Sequence, residues 1–229
     1  MVYIFAPMKL VIFDLDGTLL NTIEDLGAAT NAALSSLGFP THAMDEYYGM
    51  VGHGIRRLVM NALPEADRTD DALVDRLLKV FVEYYTAHID VRTRPYPGMQ
   101  ELLASLSSRG YAIGVASNKF QAGAETLVKE FFPDIKFAGI LGDRPGAPLK
   151  PSPEIVFTLM DNAGMDRNDV SGNVVMAGDS ATDIKTAAAA GIPSIAVTWG
   201  FRPESDLTAA DHVAHTAAEL DALIGKILG

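Results

Sequence analysis

The sequence of 229 residues contains no cysteine, and this absence excludes several kinds of chemistry. Disulfide bonds, zinc–thiolate sites, iron–sulfur clusters and thiol nucleophiles all need a cysteine sulfur. Any catalytic or metal-binding group must therefore use oxygen or nitrogen atoms. A chain without a disulfide framework fits a reducing compartment, so we expect a cytoplasmic protein.

Positive charge is also scarce, because 18 Lys and Arg residues stand against 29 Asp and Glu residues and the formal net charge is −11. Such a chain repels nucleic-acid backbones and anionic membrane surfaces, and no basic stripe offsets the repulsion. We therefore expect neither as a partner. An apolar run of the ~20 residues that a membrane span needs is absent too. The apolar start of the chain lacks the basic region and the cleavage site that are typical of a signal peptide.

Short apolar runs alternate with helical patterns over most of the chain. The runs predict strands buried on both faces, as in a parallel sheet, at residues 10–13, 111–116, 137–141, 173–177 and 194–197. Between them, helical periodicity stopped by glycine or proline covers residues 99–108, 121–132, 153–163 and 183–190. This alternation predicts an α/β fold with a Rossmann-like, doubly wound parallel sheet.

Residues 22–89 break the alternation, because they show helical periodicity alone. Amphipathic helices are predicted at residues 23–37, 55–63 and 70–89. Thr22 is the expected N-cap of the first of them. We therefore predict an α/β core of residues 1–20 and 95–229, with a small all-helical cap domain of residues 21–94 inserted after the first strand.

Three predicted strands end in polar clusters, with the sequences FDLDGT (13–18), ASNK (116–119) and AGDSATD (177–183). Because the carboxyl ends of parallel strands emerge at one edge of a sheet, we expect the clusters to meet. Four carboxylates then crowd one site, namely Asp14, Asp16, Asp179 and Asp183. Such crowding requires a cation, and without sulfur ligands the expected cofactor is an oxygen-preferring ion such as Mg²⁺.

Two lysines place positive charge beside these carboxylates. Lys150 precedes a helix that begins with proline, and Lys119 follows Ser117 at a strand end. A metal, a lysine and a hydroxyl around carboxylates describe a site for phosphoryl transfer. Gly17 and Thr18 are expected to let backbone amides approach the anion closely.

Phosphoryl transfer through an aspartate needs two carboxylates with different tasks. One attacks phosphorus, and the other protonates the departing alkoxide and later accepts a proton from water. Asp14 and Asp16 are the candidates, but their spacing does not decide which of them performs which task.

The sequence resembles the haloacid dehalogenase superfamily of phosphatases. FDLDGTLLNT resembles the first motif of that family and GDSATDIKTAAAAG the fourth, while Ser117 and Lys150 resemble the second and third. The resemblance implies that Asp14 is the nucleophile and Asp16 the general acid/base. It also implies that Ser117 and Lys150 hold the phosphate.

The same resemblance implies a metal site. Asp14, Asp179 and the main-chain carbonyl of Asp16 would ligate Mg²⁺, and Asp183 would support the metal or its waters. The helical insert resembles the cap that closes over small substrates in this family. The sequence Met8-Lys9-Leu10 resembles the start of many relatives. We therefore interpret residues 1–7 as an extension or an upstream start.

Within the superfamily, the VGHGIRRLV segment and the KPSP sequence resemble phosphoglycolate phosphatases. A small phosphorylated metabolite is therefore the expected partner, with 2-phosphoglycolate as the leading candidate. A pyrophosphatase and a sugar-phosphate mutase are alternatives within the family. A non-catalytic sensor of a phosphorylated ligand is the alternative outside enzymes. The protein is expected to be a monomer or a homodimer.

A two-carbon phospho-acid also needs a partner for its carboxylate. Arg56 or Arg57 can bind a carboxylate through two hydrogen bonds, although a solvated arginine is an equally good interpretation of either. His53 lies between glycines in a loop that can face the site. Arg56 and His53, together with Asn118, complete the predicted substrate-binding residues.

Overall fold

A parallel sheet of six strands forms the centre of the protein, whose computed structural model describes residues 8–229. In chain order the strands of these residues are β1 (Leu10–Phe13), β2 (Leu20–Asn21), β3 (Arg94–Pro95), β4 (Ala112–Phe120), β5 (Gly139–Asp143), β6 (Val174–Gly178), β7 (Ser194–Val197) and β8 (His212–Ala214). The central sheet has the order β5–β4–β1–β6–β7–β8, and all its neighbouring strands are parallel. The predicted α/β sheet is confirmed.

Helices cover both faces of this sheet. The α-helices of the described residues are α1 (Ile23–Ser36), α2 (Ile55–Ala62), α3 (Asp71–Ala87), α4 (Met99–Ser108), α5 (Gln121–Phe131), α6 (Glu154–Asn162), α7 (Ala181–Ala190) and α8 (Ala217–Leu228). Val11 and Phe13 of β1 pack in one apolar cluster with residues of α4, α5 and α8, whereas Leu10 and Ile12 pack in another with residues of α6 and α7. Every residue of β1 is therefore buried, which explains its unbroken apolar sequence.

A helical insert, residues 22–93, lies between β2 and β3 and contains α1, α2 and α3. Both α1 and α2 pack against α3. β2 and β3 pair in antiparallel fashion, with Leu20 opposite Pro95, so the chain enters and leaves the insert at one place. The buried carboxylate of Asp25 in α1 fixes the exit, because it accepts hydrogen bonds from the backbone amides of Arg92 and Thr93 at 2.9 and 2.8 Å. The division into two domains stays a prediction.

Three details differ from the sequence-based predictions. β4 continues beyond the predicted end at residue 116 through Ser117 to Phe120, with an irregular register against β5. Near the C-terminal end of the chain, β8 adds an edge strand to the sheet and α8 adds a helix that packs on it. No element was predicted there. Thr22 precedes α1 as predicted, but its side chain makes no capping hydrogen bond.

Two sequence-based predictions concern the ends of the chain and membranes. Residues 1–7, which we interpret from the sequence as an extension or an upstream start, lie outside the described residues. Within residues 8–229, none of the helices has the length and apolar character needed to cross a bilayer.

Candidate active site

The polar clusters meet at the carboxyl edge of the sheet, as the strand pattern predicts. Asp14 directly follows β1, Ser117 lies in the last part of β4, and Asp179 directly follows β6. Because β4, β1 and β6 are neighbours, these three side chains lie close together, and all three are buried.

Asp14, Asp179 and Asp183 form a carboxylate cluster, in which one oxygen of each residue lies within 4.8 Å of the others. Burial raises the pKa of Asp14 well above its usual range, and the charge of Asp183 adds to this effect. Burial and Asp183 likewise raise the pKa of Asp179 to about 7. A cation would relieve this repulsion, and a donor set made only of carboxylate oxygens fits Mg²⁺.

Lys150 supplies the positive charge of this cluster. Its Nζ lies 2.9 Å from Oδ1 of Asp14 and 2.6 Å from Oδ1 of Asp183. Burial alone would lower the pKa of Lys150, but the two carboxylates outweigh burial and raise it, so the ammonium stays charged.

Asn118 fixes the backbone that carries Lys150. Its Oδ1 accepts a hydrogen bond from the Lys150 amide at 2.9 Å, and its Nδ2 donates to the Lys150 carbonyl at 3.2 Å. Nδ2 also lies 3.4 Å from the carbonyl of Gly52 in the insert. The predicted substrate-binding side chain thus holds two segments of the site together.

The side chain of Asp16 lies outside the carboxylate cluster. Its Oδ1 accepts hydrogen bonds from Oγ1 of Thr22 at 2.7 Å and from Nζ of Lys119 at 3.1 Å. The hydroxyl that was predicted to cap α1 therefore binds this carboxylate instead. The strand ends led us to expect Asp16 among four crowded carboxylates, but the structure groups only three, because Thr22 and Lys119 bind its side chain. The expectation from the family resemblance concerns only the main-chain carbonyl of Asp16.

Gly17 and Thr18 differ from their predicted role as sources of free backbone amides. The Gly17 amide donates to the carbonyl of Leu20 at 2.9 Å, and the Thr18 amide donates to that of Leu15 at 3.2 Å. Both amides are therefore bonded within the turn. The Thr18 hydroxyl faces Asp179, with 3.3 Å between Oγ1 and Oδ1.

Asp183 occupies the first turn of α7. One of its oxygens, Oδ2, accepts hydrogen bonds from the amide and the hydroxyl of Ser180, at 3.1 and 2.6 Å. This capping interaction leaves Oδ1 for Lys150, so the start of a helix fixes the position of one member of the carboxylate cluster.

A cavity lies between the core and the helical insert. The core contributes Asp14, Asp16, Ser117, Asn118 and Lys119. The insert contributes a mostly apolar wall of Leu26, Val51, Gly52, Gly54, Ile55 and Leu58. The cavity therefore has a charged floor and an apolar roof, a combination that is typical of sites for small molecules.

The two arginines of the VGHGIRRLV segment have different surroundings. Arg56 pairs with Asp71, at 2.7 Å, and with Asp75 of α3. Arg57 and His53 instead line a cleft beside the cavity, together with Lys185. The predicted residue His53 thus lies at the edge of the site, whereas the acidic partners of Arg56 are within the insert itself.

Arg202, which sequence reasoning did not single out as functional, connects the core to the insert. Its guanidinium donates to the carbonyls of Tyr48 and Val51, the latter in the wall of the cavity. Since both partners are backbone carbonyls more than 150 residues away, no side-chain pattern signals this contact.

Comparison with known proteins agrees with this geometry. Residues 11–197 match the model of the haloacid dehalogenase-like hydrolase family. A phosphoglycolate phosphatase from Mesorhizobium japonicum is 38% identical over 195 residues, which cover 84% of this chain and 83% of the relative. Another from Neisseria meningitidis is 38% identical over 199 residues, with coverage of 85% and 82%.

A solved structure has the same fold along almost its whole length. It belongs to a proposed phosphoglycolate phosphatase from Lactobacillus delbrueckii subsp. bulgaricus, with a TM-score of 0.86, 31% identity and coverage of 96% of this chain and 99% of that one. The chain therefore belongs to the haloacid dehalogenase-like hydrolases, and among them it is similar to phosphoglycolate phosphatases.

Proposed function

We propose that the protein is a Mg²⁺-dependent phosphatase that hydrolyses 2-phosphoglycolate through an aspartyl-phosphate on Asp14. The arrangement around Asp14 carries this proposal. Its Oδ1 is held by the Leu15 amide at 2.7 Å and by Lys150 at 2.9 Å. Among residues 8–229 no hydrogen-bond donor is paired with Oδ2, so this oxygen is available as a nucleophile at the floor of the cavity.

The reaction has two steps, and Asp16 moves a proton in each. Oδ2 of Asp14 attacks phosphorus, the bond to the ester oxygen breaks, and Asp16 donates its proton to the departing alkoxide. Asp16 then accepts a proton from water, whose oxygen attacks phosphorus and releases phosphate from Asp14. Lys150 and the Ser117 hydroxyl hold the phosphoryl oxygens during both steps.

Asp14, Asp179 and Asp183, with the main-chain carbonyl of Asp16, would hold Mg²⁺. When bound, the ion neutralises the charge that otherwise opposes the approach of an anionic phosphate to these carboxylates. Thr18 and the amide of Phe201 orient Asp179 for this task, at 3.3 and 2.8 Å from its two oxygens.

Two observations favour 2-phosphoglycolate over larger phosphomonoesters. The wall that the insert contributes to the cavity is mostly apolar, so it offers few hydrogen-bond partners for the hydroxyl groups of a sugar or a nucleoside. The cleft of His53, Arg57 and Lys185 beside it places basic groups where a short substrate can present its carboxylate. The names of the relatives from Mesorhizobium japonicum and Neisseria meningitidis support the same substrate.

The helical insert acts as a cap in this proposal. It covers the carboxylates during attack, so that water reaches phosphorus only after the alkoxide has left. We also place the protein in the cytoplasm, where a chain without disulfides is suited to the reducing conditions.

A kinetic panel tests the proposal. The purified protein is assayed for phosphate release with 2-phosphoglycolate, β-glucose 1-phosphate, pyrophosphate and a nucleoside monophosphate, each with Mg²⁺ and with EDTA. We expect kcat/KM to be at least ~10²-fold higher for 2-phosphoglycolate than for the others, and to vanish with EDTA. A preference for pyrophosphate or for the sugar phosphate would overturn the substrate assignment.

The Asp14→Asn variant tests the nucleophile. We expect it to lose at least ~10³-fold in kcat while its thermal unfolding temperature does not fall, because a neutral amide removes charge repulsion from the carboxylate cluster. Mass spectrometry of acid-quenched wild-type enzyme should detect a phosphorylated peptide that contains Asp14. Retained activity in this variant would exclude the mechanism.

A further inference from the structure

Lys119 is a buried cation that the proposed reaction does not use. Its side chain is 1% exposed, and its ammonium lies 3.1 and 3.4 Å from the two carboxylate oxygens of Asp16. Burying an ammonium is costly unless its charge and its hydrogen bonds are compensated. Asp16 supplies part of this compensation, and the rest comes from the helical insert.

Tyr85 of α3 is the partner of Lys119 in the insert. Its hydroxyl oxygen lies 2.6 Å from Nζ of Lys119, and the same ammonium lies 4.6 Å from the centre of its ring. The ring of Tyr85 is fully buried. It stacks on the ring of Phe81, with 5.3 Å between the ring centres, and it packs in a T-shaped arrangement with Phe120, whose ring centre is 6.1 Å away. The packing of α3 on the core therefore determines where the ammonium can lie.

Thr22 links Asp16 to the insert from another side. Its hydroxyl donates to Oδ1 of Asp16 at 2.7 Å, and Thr22 stands at the point where the chain enters α1. The carboxylate of Asp16 lines the cavity next to Asp14. Its orientation is thus determined by two groups whose positions depend on the insert.

We propose that Lys119 and Tyr85 are positioning residues for Asp16, which hold its carboxylate at the leaving-group side of the cavity when α3 is packed on the core. This inference rests on the proposed function, in which Asp16 protonates the departing alkoxide. Tyr85 acts through Lys119, because its hydroxyl is bonded to the ammonium and the ammonium to Asp16. Proton transfer is in this way coupled to closure of the insert over the substrate.

The alternative is that this buried pair only attaches the insert to the core. The two interpretations differ in how the rate depends on the leaving group. A glycolate alkoxide needs the proton of Asp16 to depart, whereas p-nitrophenolate departs without one. A positioning defect therefore slows the first step for 2-phosphoglycolate and spares that step for p-nitrophenyl phosphate. A loosened insert slows both.

Rapid-quench measurement of the first turnover separates these outcomes. Lys119→Met removes the ammonium at similar length, and Tyr85→Phe removes the hydroxyl while keeping the ring. We expect release of glycolate in the first turnover to slow by roughly 10²-fold in Lys119→Met and by roughly 10-fold in Tyr85→Phe. The burst of p-nitrophenolate should change by less than about 3-fold in both. Equal slowing with the two substrates would overturn the proposal.

Three controls make the result specific. Tyr84→Phe alters the neighbouring tyrosine, which stacks on His88, and it should leave both rates unchanged. Tyr85→Phe in the Lys119→Met background should have no further effect, because the hydroxyl acts through the ammonium; additive effects would contradict the relay. Thermal unfolding of every variant shows whether it is folded. If Lys119→Met does not fold, Tyr85→Phe alone suffices for the test.

Failure of the proposed function gives a different result from failure of this inference. Wild-type enzyme that releases no phosphate from any substrate overturns both. If another alkyl phosphate proves to be the substrate, it replaces 2-phosphoglycolate in the comparison of leaving groups. Active wild-type enzyme with variants that slow both substrates equally overturns the inference alone.

Discussion

Gly200 lies so close to Asp179 that a Cβ atom on Gly200 would stand 2.2 Å from the Cβ of Asp179. The next residue, Phe201, donates its amide to Oδ2 of Asp179 at 2.8 Å. The loop after β7 can therefore orient this carboxylate only because residue 200 has no side chain.

Gly200→Ala should displace Asp179 and weaken the response to Mg²⁺. We expect at least a ~10-fold increase in the Mg²⁺ concentration that gives half-maximal activity, and a loss of about 1–3 kcal/mol in the free energy of unfolding, as is typical of overpacking. Metal titrations of activity and thermal unfolding measure the two effects. Gly49→Ala is the matched control, because a Cβ there meets no atom within 4 Å and the backbone needs no positive φ.

The carboxylate cluster should make the metal-free protein less stable as the pH rises. Asp179 holds its proton up to about pH 7 when folded, whereas an unfolded aspartate ionises near pH 4. Between these values the folded state binds more protons, so the free energy of unfolding falls with increasing pH. From pH 5 to pH 8 this group alone accounts for a decrease on the order of 3 kcal/mol, and Asp14 adds to it.

Thermal unfolding in EDTA and in excess Mg²⁺, at several pH values from 5 to 8, measures this effect. The stabilisation by Mg²⁺ should grow with pH, since the ion binds ionised carboxylates and competes with protons. Asp179→Asn should flatten the pH dependence measured in EDTA. A metal-free protein that becomes more stable over this interval would contradict the assigned direction of the pKa shifts.

The positions of the carboxylates could be predicted from the sequence because the topology of a parallel sheet dictates them. Asp14 and Asp179 each follow an apolar run, and such runs end at the same edge when the strands are parallel. The helix that contains Asp183 was predicted from its periodicity and its terminal glycine, Gly191. These features depend on local sequence and on one rule of topology.

The backbone of the first turn could not be predicted in the same way. After Gly17 the chain folds back, so that the Gly17 amide donates a hydrogen bond to the carbonyl of Leu20. The helical spacing of residues 70–89 predicts an apolar face for α3, but it says nothing about where the hydroxyl of Tyr85 points. Its contact with Lys119 depends on how a helix of the insert packs on a strand of the core.

Removal of the Arg202 side chain should loosen the insert over the cavity. Arg202→Met loses the hydrogen bonds to the carbonyls of Tyr48 and Val51 but keeps much of the apolar stem. We expect KM for 2-phosphoglycolate to rise by up to about 30-fold, because two hydrogen bonds of about 1 kcal/mol each that favour closure are lost.

Limited proteolysis provides an independent measurement of this loosening. The bond most affected should lie in the segment that contains Tyr48 and Val51, since this segment loses its attachment to the core. Arg109→Met, which removes an ion pair with Asp221 at the far end of the core, serves as the control. Faster cleavage confined to other segments would exclude Arg202 as the attachment of this loop.

The neighbouring arginines Arg56 and Arg57 should differ in their effect on substrate binding. Arg56 is held by Asp71 and Asp75, whereas Arg57 lines the basic cleft with His53. If the carboxylate of 2-phosphoglycolate binds in that cleft, Arg57→Met should raise its KM by at least ~10-fold, since a charged hydrogen bond is worth about 1.5–3 kcal/mol. The measurement is the steady-state KM with 2-phosphoglycolate and with p-nitrophenyl phosphate, which has no carboxylate.

Arg56→Met is the matched variant, because it removes an adjacent guanidinium of the same helix. Its exposed ion pairs contribute little to stability, so we expect KM for both substrates to change by less than about 3-fold. A larger effect of Arg56→Met than of Arg57→Met on 2-phosphoglycolate would mean that Arg56 leaves its acidic partners when substrate binds. In that case the carboxylate would be recognised from within the insert, and the cleft at its edge would have no part in the choice of substrate.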